Sequence, residues 1–581
     1  MYFEGEGKHI VDSNFTVTAE RKEYPEFDAC EWVLWFENCG EADSLIISDI
    51  NDCDVLFGLK NIQHKSSINR AEAGYPCITA MYGCDGEGYH FDDKGSSLEF
   101  NLYDVFVEED KCKSFKNNSG RSSSGTAPFF DIHTKADGVI AAIGWTGNWR
   151  ADFERKDDKI QIKTGLQNAE FYLKKGEKLR TTAVLLMEYS GEDKYNKFRR
   201  LMKKYVSHKT DCPKSREGLL AFELWGSLPS NEMVKRINEL AVHGIKLEDI
   251  WIDAGWYGKI EIGPSAFSPG WWEQAGNWNI NPYVHPNKLA DVRDAANKAG
   301  YNLMLWIEPE RAGKDTDLPH QHPSWFLKSS KDEYNLLFNY GNKDALEYMC
   351  NLLSEHIEAL GLSCYRQDFN FDPTPMFLEN DEENRVGITE IKHILGMYEL
   401  WDRLLKKHPH LIIDNCSSGG RRADIETLRR SNLFFRSDYQ CLFNENPLVL
   451  QCHNAGAQNY LPYNGCTSKT KRDTYAIRSS YSSSWGTACY NAVFQEMNED
   501  DFIWLKKTVD EYRSIRQYFS CDFYNHGSKE FDESSWAIWQ YHDNETQSGI
   551  VMAFRRCEAP FNSVKIDLKG TEPEKNMFIE I

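Results

Sequence analysis

Near its middle the chain reads Leu303-Met304-Leu305-Trp306-Ile307-Glu308, an apolar run that ends in a carboxylate. Five other apolar runs that end in polar residues share this form, over residues 219–225, 250–253, 363–368, 411–415 and 433–438. Stretches with helical spacing of apolar residues lie between them, over 231–243, 288–299, 343–360 and 390–407. Such alternation predicts a parallel sheet. Six strands, with no Gly-x-Gly-x-x-Gly turn after the first, favour a (β/α)8 barrel over a dinucleotide-binding fold.

Both ends of the chain have a different pattern. Residues 1–208 contain short apolar segments between polar turns, including a Ser/Gly-rich loop over Ser119–Gly125, and predict a β-sandwich. Residues 521–581 return to short β-like runs. The sequence therefore predicts a multidomain α/β protein, with an N-terminal β domain (1–208), a barrel (209–520) and a small C-terminal β domain (521–581). The last two barrel strands must fall between 450 and 500, where no apolar run marks them.

The composition argues against several classes of protein. A net charge of −22 over 581 residues is unsuited to nucleic acid, because phosphate-binding surfaces need clustered Lys and Arg. No run of apolar residues is long enough to span a membrane. The start Met1-Tyr2-Phe3-Glu4-Gly5 has neither the basic residues nor the apolar stretch of a secretory signal. The 16 cysteines form no Cys-x-x-Cys pair, so we expect reduced thiols and a cytoplasmic location.

The ends of the predicted barrel strands carry many polar side chains. Active sites of (β/α)8 barrels lie at these ends, where this sequence has Asp253, Glu308, Glu310, Arg366, Asp368, Asn370, Asn415, Cys416 and Asp438. Converging carboxylates repel each other, which favours a functional purpose, although capping of the following helices is a simpler alternative. They could bind a divalent metal ion or serve as the two carboxyls of a glycosidase. The sugar interpretation is favoured by the nearby Trp251, Trp256, Trp271, Trp272, Trp278 and Trp306.

Two local patterns refine the sugar hypothesis. Alternation along a strand places Arg366, Asp368 and Asn370 on one face, where Asp368 could attack while the other two bind hydroxyls. A structural Arg–Asp pair is the alternative. The small-residue turn over 415–422 contains glycines that let the backbone approach a ligand. It lacks the spacing of a phosphate loop. Cys416 is a poor candidate nucleophile, because the motif has no His and carboxylates are already present.

Six motifs, in order along the chain, resemble those of glycoside hydrolase family 36, the α-galactosidases, α-N-acetylgalactosaminidases and relatives of clan D. The first resembles the signature of the family's N-terminal β-supersandwich, Ile143-Gly144-Trp145-Thr146-Gly147-Asn148-Trp149. Two more resemble its Asp-Asp-Gly-Trp-Phe and Trp-x-Glu-Pro-Glu motifs, Ile252-Asp253-Ala254-Gly255-Trp256-Tyr257-Gly258 and Trp306-Ile307-Glu308-Pro309-Glu310. The last three resemble its Lys-Trp-Asp-Met-Asn, Asn-Cys-Ser-Ser-Gly-Gly and Ser-Asp motifs, Arg366-Gln367-Asp368-Phe369-Asn370, Asn415-Cys416-Ser417-Ser418-Gly419-Gly420 and Arg436-Ser437-Asp438.

The resemblance implies a β-supersandwich, a (β/α)8 barrel and a small C-terminal β-sandwich, with no metal and no cofactor. It implies a retaining glycosidase that hydrolyses terminal α-galactosyl-type residues from oligosaccharides by double displacement. Asp368 would be the nucleophile and Asp438 the acid/base. The implied sugar-binding residues are Asp253, Trp256, Trp306, Glu308, Arg366, Asn370, Cys416 and Gly419. The expected partner is a carbohydrate, and a homo-oligomer is left open.

Four positions depart from the family pattern around the sugar. Ala254 replaces the second Asp of the pair that accepts hydrogen bonds from O4 and O6, Arg366 replaces Lys, Gln367 replaces Trp, and Phe371 stands where Arg is usual. An α-N-acetylgalactosaminidase, a β-L-arabinopyranosidase and a raffinose-synthase-like transglycosidase therefore stay open as alternatives. A catalytically inactive sugar-binding protein is disfavoured, because Asp368 and Asp438 are both retained.

Overall fold

The structure is a computed structural model of the chain. It describes residues 8–12, 15–59, 75–84, 97–134, 137–208, 218–264, 268–439, 446–469, 472–488, 497–528 and 532–571. Among these, no helix is long and apolar enough to cross a bilayer. The cysteines that the structure describes are all free thiols.

The N-terminal part consists of two antiparallel sheets. The larger has eight strands, in spatial order Lys8–Asp12, Phe15–Tyr24, Ala29–Asn38, Lys178–Ser190, Asp137–Gly144, Thr126–Thr134, Cys77–Tyr82 and Leu102–Phe106. The smaller has four, in the order Cys53–Gly58, Lys159–Leu166, Trp149–Lys156 and Cys112–Lys116. Phe130 of the larger sheet lies 5.1 Å, between ring centroids, from both Phe115 and Phe153 of the smaller one. The two sheets therefore share a core, as in a sandwich.

The middle of the chain forms a curled parallel sheet of seven strands. Their spatial order is Ile412–Asn415, Leu362–Gln367, Asn302–Ile307, Asp249–Ile252, Leu220–Leu224, Ser484–Ala488 and Gly465–Lys469. Residues 432–436 lie between the two outer strands. They make isolated parallel bridges, Asp414 to Asn432 and Leu433 to Asn464, and Arg436 donates its N–H to the carbonyl of Gly465 at 2.9 Å. This segment occupies the eighth position of the ring, and the predicted multidomain α/β architecture with a central barrel is confirmed.

Helices surround this sheet close to their predicted positions. The predicted ones are Ser230–Val242, Ala290–Ala299, Lys343–Leu360 and Ile388–Lys407; the others are Lys194–Leu201, Asp317–Gln321, Thr374–Glu379, Ile425–Leu428, Pro447–Ala457, Thr474–Ser480 and Glu499–Ile515. Lys343–Leu360 shows how local sequence sets the ends. The side chain of Asn342 accepts hydrogen bonds from the N–H groups of Asp344 and Ala345. Gly361, at φ +62°, ends the helix in a left-handed conformation.

The remaining elements are short. They are the helical turns Pro25–Phe27, Met202–Val206, Pro323–Trp325 and Arg516–Tyr518, the strand pair Glu170–Phe171 and Arg385–Val386, and a small sheet of Arg311–Gly313, Asp332–Phe338 and Phe326–Ser329. The C-terminal part contains a three-stranded antiparallel sheet of Asp522–Asn525, Trp536–Asp543 and Ser548–Arg555.

The motif over 143–149 attaches the N-terminal sheets to the barrel. Glu390, on helix Ile388–Lys407, accepts a hydrogen bond from the indole N–H of Trp145 at 2.9 Å. It also accepts bonds from the backbone N–H and the side-chain amide of Asn148, at 2.6 and 2.8 Å. A buried carboxylate of one domain is thus satisfied by the other, which fixes the N-terminal part against the barrel.

Candidate active site

Asp368 follows the barrel strand Leu362–Gln367 and is held by four donors. Its Oδ1 accepts the N–H of Phe369 at 2.7 Å and of Ser418 at 3.0 Å. Its Oδ2 accepts the side-chain amide of Asn370 at 2.8 Å and the indole N–H of Trp306 at 3.0 Å. Burial disfavours the charged form of Asp368, but the charge of Arg366 and these hydrogen bonds outweigh it, so the pKa of Asp368 is lowered. The site therefore contains one ionised, oriented carboxylate.

Arg366 lies in the barrel interior between two aromatic rings. Its guanidinium carbon is 4.3 Å from the ring centre of Trp251 and 4.4 Å from that of Phe435. It forms an ion pair with Asp414, which is its partner in register on the next strand. Burial alone would lower the pKa of Arg366, but the surrounding acidic groups raise it well above its ordinary value. Arg366 is thus a fixed cation beside Asp368, and only 2% of it is exposed.

Asp438 lies at the end of the segment that occupies the eighth barrel position. Burial and the neighbouring charge of Asp368 raise the pKa of Asp438 to about 6, against opposing effects of Arg421, Arg366 and Arg121. Asp438 therefore keeps its proton to a higher pH than an ordinary carboxyl, whereas its neighbour Asp368 loses its proton at a lower pH. This asymmetry is what acid/base chemistry requires of a carboxyl pair.

Two further carboxyls have raised pKa values. Burial, with the charges of Asp368 and Asp438, raises the pKa of Asp253 to about 7 despite Arg366. Burial and Asp368 likewise raise the pKa of Glu308 to about 7. Asp253 accepts the N–H of Ala254 at 2.7 Å. Glu308 is fully buried and accepts bonds from the N–H of Asn370 at 2.7 Å and from Arg311 at 3.0 Å. Asp253, Asp368 and Asp438 influence one another's charge, so the structure brings these three together.

Glu310 belongs to a separate buried network. It pairs with Arg422, is contacted by His393 at 2.9 Å and accepts the side-chain amide of Gln367 at 2.8 Å. Burial would raise the pKa of Glu310, but Arg422 and His393 lower it to about 2. The barrel strand before it ends at Ile307, so strand alternation does not place Glu310 beside Glu308.

The turn over 415–420 packs against the segment that carries Asp438. Gly419 has φ +79°, and a Cβ added to it would lie 3.0 Å from the backbone N of Asp438. The absence of a side chain at Gly419 therefore allows this backbone contact. From the sequence we expected the glycines of this turn to allow the approach of a ligand. Ser418 also has a positive φ, of +46°. Cys416 is buried, and burial raises the pKa of its thiol well above the ordinary value, which disfavours a nucleophilic thiolate.

Five of the six tryptophans form one cluster, in which Trp306 contacts Asp368. Trp251 packs separately, on Phe434 and Phe435. Trp306 is within 6.3 Å of the ring centres of Trp271 and Trp278. Trp256 has no exposed surface and donates its indole N–H to the carbonyl of Trp306 at 2.7 Å. Trp272 is 39% exposed. The cluster thus offers Trp272 to solvent and holds Trp256 in the core.

Three residues that contact Arg366, Asp368 or the residue after Asp368 were not among those predicted from the sequence. Asp414 pairs with Arg366, and its in-register position with an opposite charge was a usable signal. Ser418 donates its N–H to Asp368 and its hydroxyl to Asn370 at 2.8 Å. Arg121 comes from the N-terminal part and donates to the carbonyl of Phe369 at 3.2 Å. No local pattern marks a contact between residues so far apart in the chain.

One cluster of metal-ligand types lies in the N-terminal sheet, formed by Cys77, Asp104 and His133. The hydroxyl of Thr79 already donates to Asp104 at 2.6 Å and lies 3.0 Å from Nε2 of His133. Burial, with the charges of Asp104 and Asp131, raises the pKa of the Cys77 thiol to about 12, which opposes the thiolate that a metal would need. Hydrogen bonding therefore accounts for this cluster.

Solved structures with the same fold include Geobacillus stearothermophilus α-galactosidase AgaA, with a TM-score of 0.79 and 18% identity over 96% of this chain and 76% of that one. Lactobacillus brevis α-galactosidase gives 0.78 and 17%, over 96% and 73%. Structures of AgaA variants in complex with raffinose and with stachyose have the same fold.

Curated relatives are similar over much of the chain. Lactobacillus acidophilus α-galactosidase Mel36A is 21% identical over 493 residues, which is 80% of this chain and 65% of that protein. Escherichia coli α-galactosidase is 25% identical over 357 residues, 58% of this chain and 47% of that protein. The aligned part of the chain thus covers less than two thirds of the length of either relative.

The Melibiase family model matches residues 182–522, more than half of the chain. The matched range includes the barrel and every carboxyl of the site described above. The chain therefore belongs to the melibiase family, the α-galactosidases and relatives of glycoside hydrolase family 36.

Proposed function

We propose that the chain is a retaining α-glycosidase that hydrolyses terminal α-galactosyl-type residues from oligosaccharides. The observation that carries this is the contrast between Asp368, an ionised carboxylate held by four donors, and Asp438, whose pKa is raised to about 6 by burial and by Asp368. The substrate class is supported by the complexes of AgaA variants with raffinose and stachyose.

The reaction has two steps. In the first, Asp368 attacks the anomeric carbon while Asp438 gives its proton to the glycosidic oxygen, which leaves with the bonding electrons. The product is a glycosyl ester of Asp368 and an ionised Asp438. In the second step Asp438 takes a proton from water, the water oxygen attacks the anomeric carbon, and Asp368 leaves as a carboxylate. The second inversion restores the α configuration.

The other residues of the site differ in whether they can contact the sugar or only position the catalytic carboxyls. The charges of Asp368 and Asp438 both raise the pKa of Asp253, so Asp253 lies near both, and we propose that it accepts hydrogen bonds from the sugar hydroxyls. Trp306 and Asn370 orient Asp368 through Oδ2, and Arg366 keeps it ionised. Trp256 and Glu308 are fully buried and have no free surface for a sugar. We therefore propose that Trp256 positions Trp306 and that Glu308 positions Asn370, through the hydrogen bonds between them. Gly419 packs against the backbone of Asp438, and the buried Cys416 lies near enough to Arg366 and Asp368 for their charges to affect its thiol.

One observation favours a second specificity within this chemistry. Position 254 is an alanine, only 1% exposed, beside Asp253. A methyl group accepts no hydrogen bond, so O4 and O6 of galactose lose an acceptor at this position. Either another side chain supplies the contact, and galactose or its 2-acetamido derivative is the substrate, or the site prefers β-L-arabinopyranose, which lacks C6. Transfer to a second sugar in place of water is the corresponding alternative for the second step.

A panel of nitrophenyl glycosides tests the proposal. We expect release of nitrophenol from at least one of the α-galactoside, the α-N-acetylgalactosaminide and the β-L-arabinopyranoside, with retention of configuration by NMR. Asp368→Asn should abolish turnover. Asp52→Asn, which alters a buried Asp of the N-terminal part, should not. Inversion of configuration, or unchanged turnover in Asp368→Asn, would refute the mechanism.

A further inference from the structure

The loop Ser119–Gly125 brings a cation from the N-terminal part to the active site. Arg121 is 2% exposed. Its Nη1 donates to the carbonyl oxygen of Phe369 at 3.2 Å and to the hydroxyl of Ser418 at 3.4 Å. Its Nε and Nη2 donate to the hydroxyl of Ser119, at 3.3 and 3.2 Å. The guanidinium thus joins the segment after strand Leu362–Gln367, which carries Asp368, to the turn over 415–420.

This cation is buried at a free-energy cost. Within the part of the chain that the structure describes, no carboxylate lies within ion-pair distance of Arg121. Burial, then the charges of Arg421 and Arg422, lower the pKa of Arg121 to about 9, while the charges of Asp372 and Asp368 act to raise it. A buried charge without an adjacent counter-charge destabilises the fold. Such a residue is expected where it serves the site.

Two paths lead from Arg121 to the carboxylate of Asp368. The first runs through Ser418, whose N–H donates to Oδ1 of Asp368 at 3.0 Å. The second runs from the Ser418 hydroxyl to Asn370, whose amide donates to Oδ2 of Asp368 at 2.8 Å. Ser418 has φ +46°, a conformation that non-glycine residues adopt only when surrounding contacts hold them. Arg121 supplies one of these contacts.

We propose that Arg121 is a positioning residue of the active site, through which the N-terminal part fixes Ser418 and the orientation of the nucleophile. Its charge also acts on Asp438, together with Arg421 and Arg366. The proposal rests on the roles given above to Asp368 and Asp438. It makes the N-terminal part a component of the catalytic machinery, beyond its contribution to folding.

The test compares two buried arginines. Arg199 is also 2% exposed and donates to the backbone carbonyls of Gln458, Phe519 and Cys521, none of which belongs to the candidate active site. Arg121→Met and Arg199→Met are assayed after titration of active sites with an activated fluoro-sugar, so that unfolded protein is not counted. We expect kcat per titrated site to fall about 10- to 100-fold in Arg121→Met, the range for loss of a charge-assisted hydrogen bond, and to stay near wild type in Arg199→Met.

The pH profile separates positioning from stability. Removing a cation near Asp438 raises the pKa of that carboxyl, so the basic limb of kcat/KM should move to higher pH in Arg121→Met, and stay in place in Arg121→Lys and Arg199→Met. Ser119→Ala, which loosens Arg121 without removing it, keeps the test available if Arg121→Met does not fold. We expect this variant to lower kcat per site by about two- to tenfold. Unmoved limbs, with kcat per site equal to that of Arg199→Met, would overturn the proposal. For Ser119→Ala, unchanged kcat per site would do the same. Failure of the wild type to react with the fluoro-sugar would instead refute the proposed function.

Discussion

Replacement of Asp438 by alanine tests its role through the leaving group. With a pKa of about 6, roughly half of Asp438 is protonated at pH 6 and about a tenth at pH 7. General acid catalysis contributes on the order of 10²- to 10⁴-fold. An oligosaccharide has a poor leaving group and needs this proton, whereas a dinitrophenolate leaves without it.

We therefore expect Asp438→Ala to lower kcat/KM by about 10²- to 10⁴-fold on raffinose or melibiose, and by less than about tenfold on a dinitrophenyl α-glycoside of the same sugar. Azide should raise turnover of the activated substrate by attacking the glycosyl-enzyme, and the product should be a glycosyl azide of retained configuration. Asp438→Asn is the isosteric control and should give the same dependence. Equal losses on both substrates, without rescue by azide, would refute the assignment of Asp438 as acid/base.

Three further results are expected. The pH profile of kcat/KM should be bell-shaped. Activity should fall at low pH as Asp368 gains a proton, since Arg366 lowers the pKa of Asp368 against the effect of burial, and above about pH 6 as Asp438 loses its proton. A profile with a single limb would contradict this. Ala254→Asp should raise the rate on the α-galactoside relative to the β-L-arabinopyranoside, by about 10- to 100-fold if a charged hydrogen bond is restored; an unchanged ranking would mean that position 254 does not read the sugar. Gly419→Ala should lower kcat on oligosaccharides, because the added Cβ would lie 3.0 Å from the backbone N of Asp438. Gly361→Ala is the control: Gly361 also has a positive φ, but its Cβ would have no neighbour within 4 Å, so only thermal stability should change. Equal kcat values in the two variants would argue against the packing role of Gly419.

The fold was predictable where the local pattern is strong. The helix predicted over 343–360 is Lys343–Leu360, because its apolar spacing, the Asn342 cap and Gly361 all agree. The strands Gly465–Lys469 and Ser484–Ala488 were not located, since Gly, Ser and Thr give them no apolar run. The segment 433–438 was predicted as a strand and is instead an irregular stretch with isolated bridges.

The grouping of three candidate site carboxyls was predictable because strand order fixes it. Asp253, Asp368 and Asp438 end three different barrel strands or segments and influence one another's pKa in the structure. Burial is a property of the folded molecule, so sequence alone did not show that Trp256 has no exposed surface. Arg121 could not be assigned either, because its partner Phe369 is 248 residues away.

The site of covalent labelling shows directly whether Asp368 is the nucleophile. Incubation with an activated fluorinated α-galactosyl substrate slows the second step and traps the glycosyl-enzyme. Peptide mapping by mass spectrometry should then find one sugar per chain, on the peptide that contains Asp368, with no label in Asp368→Asn. A sugar attached to Asp253, Glu308 or Glu310 would contradict the assignment of Asp368 as the nucleophile.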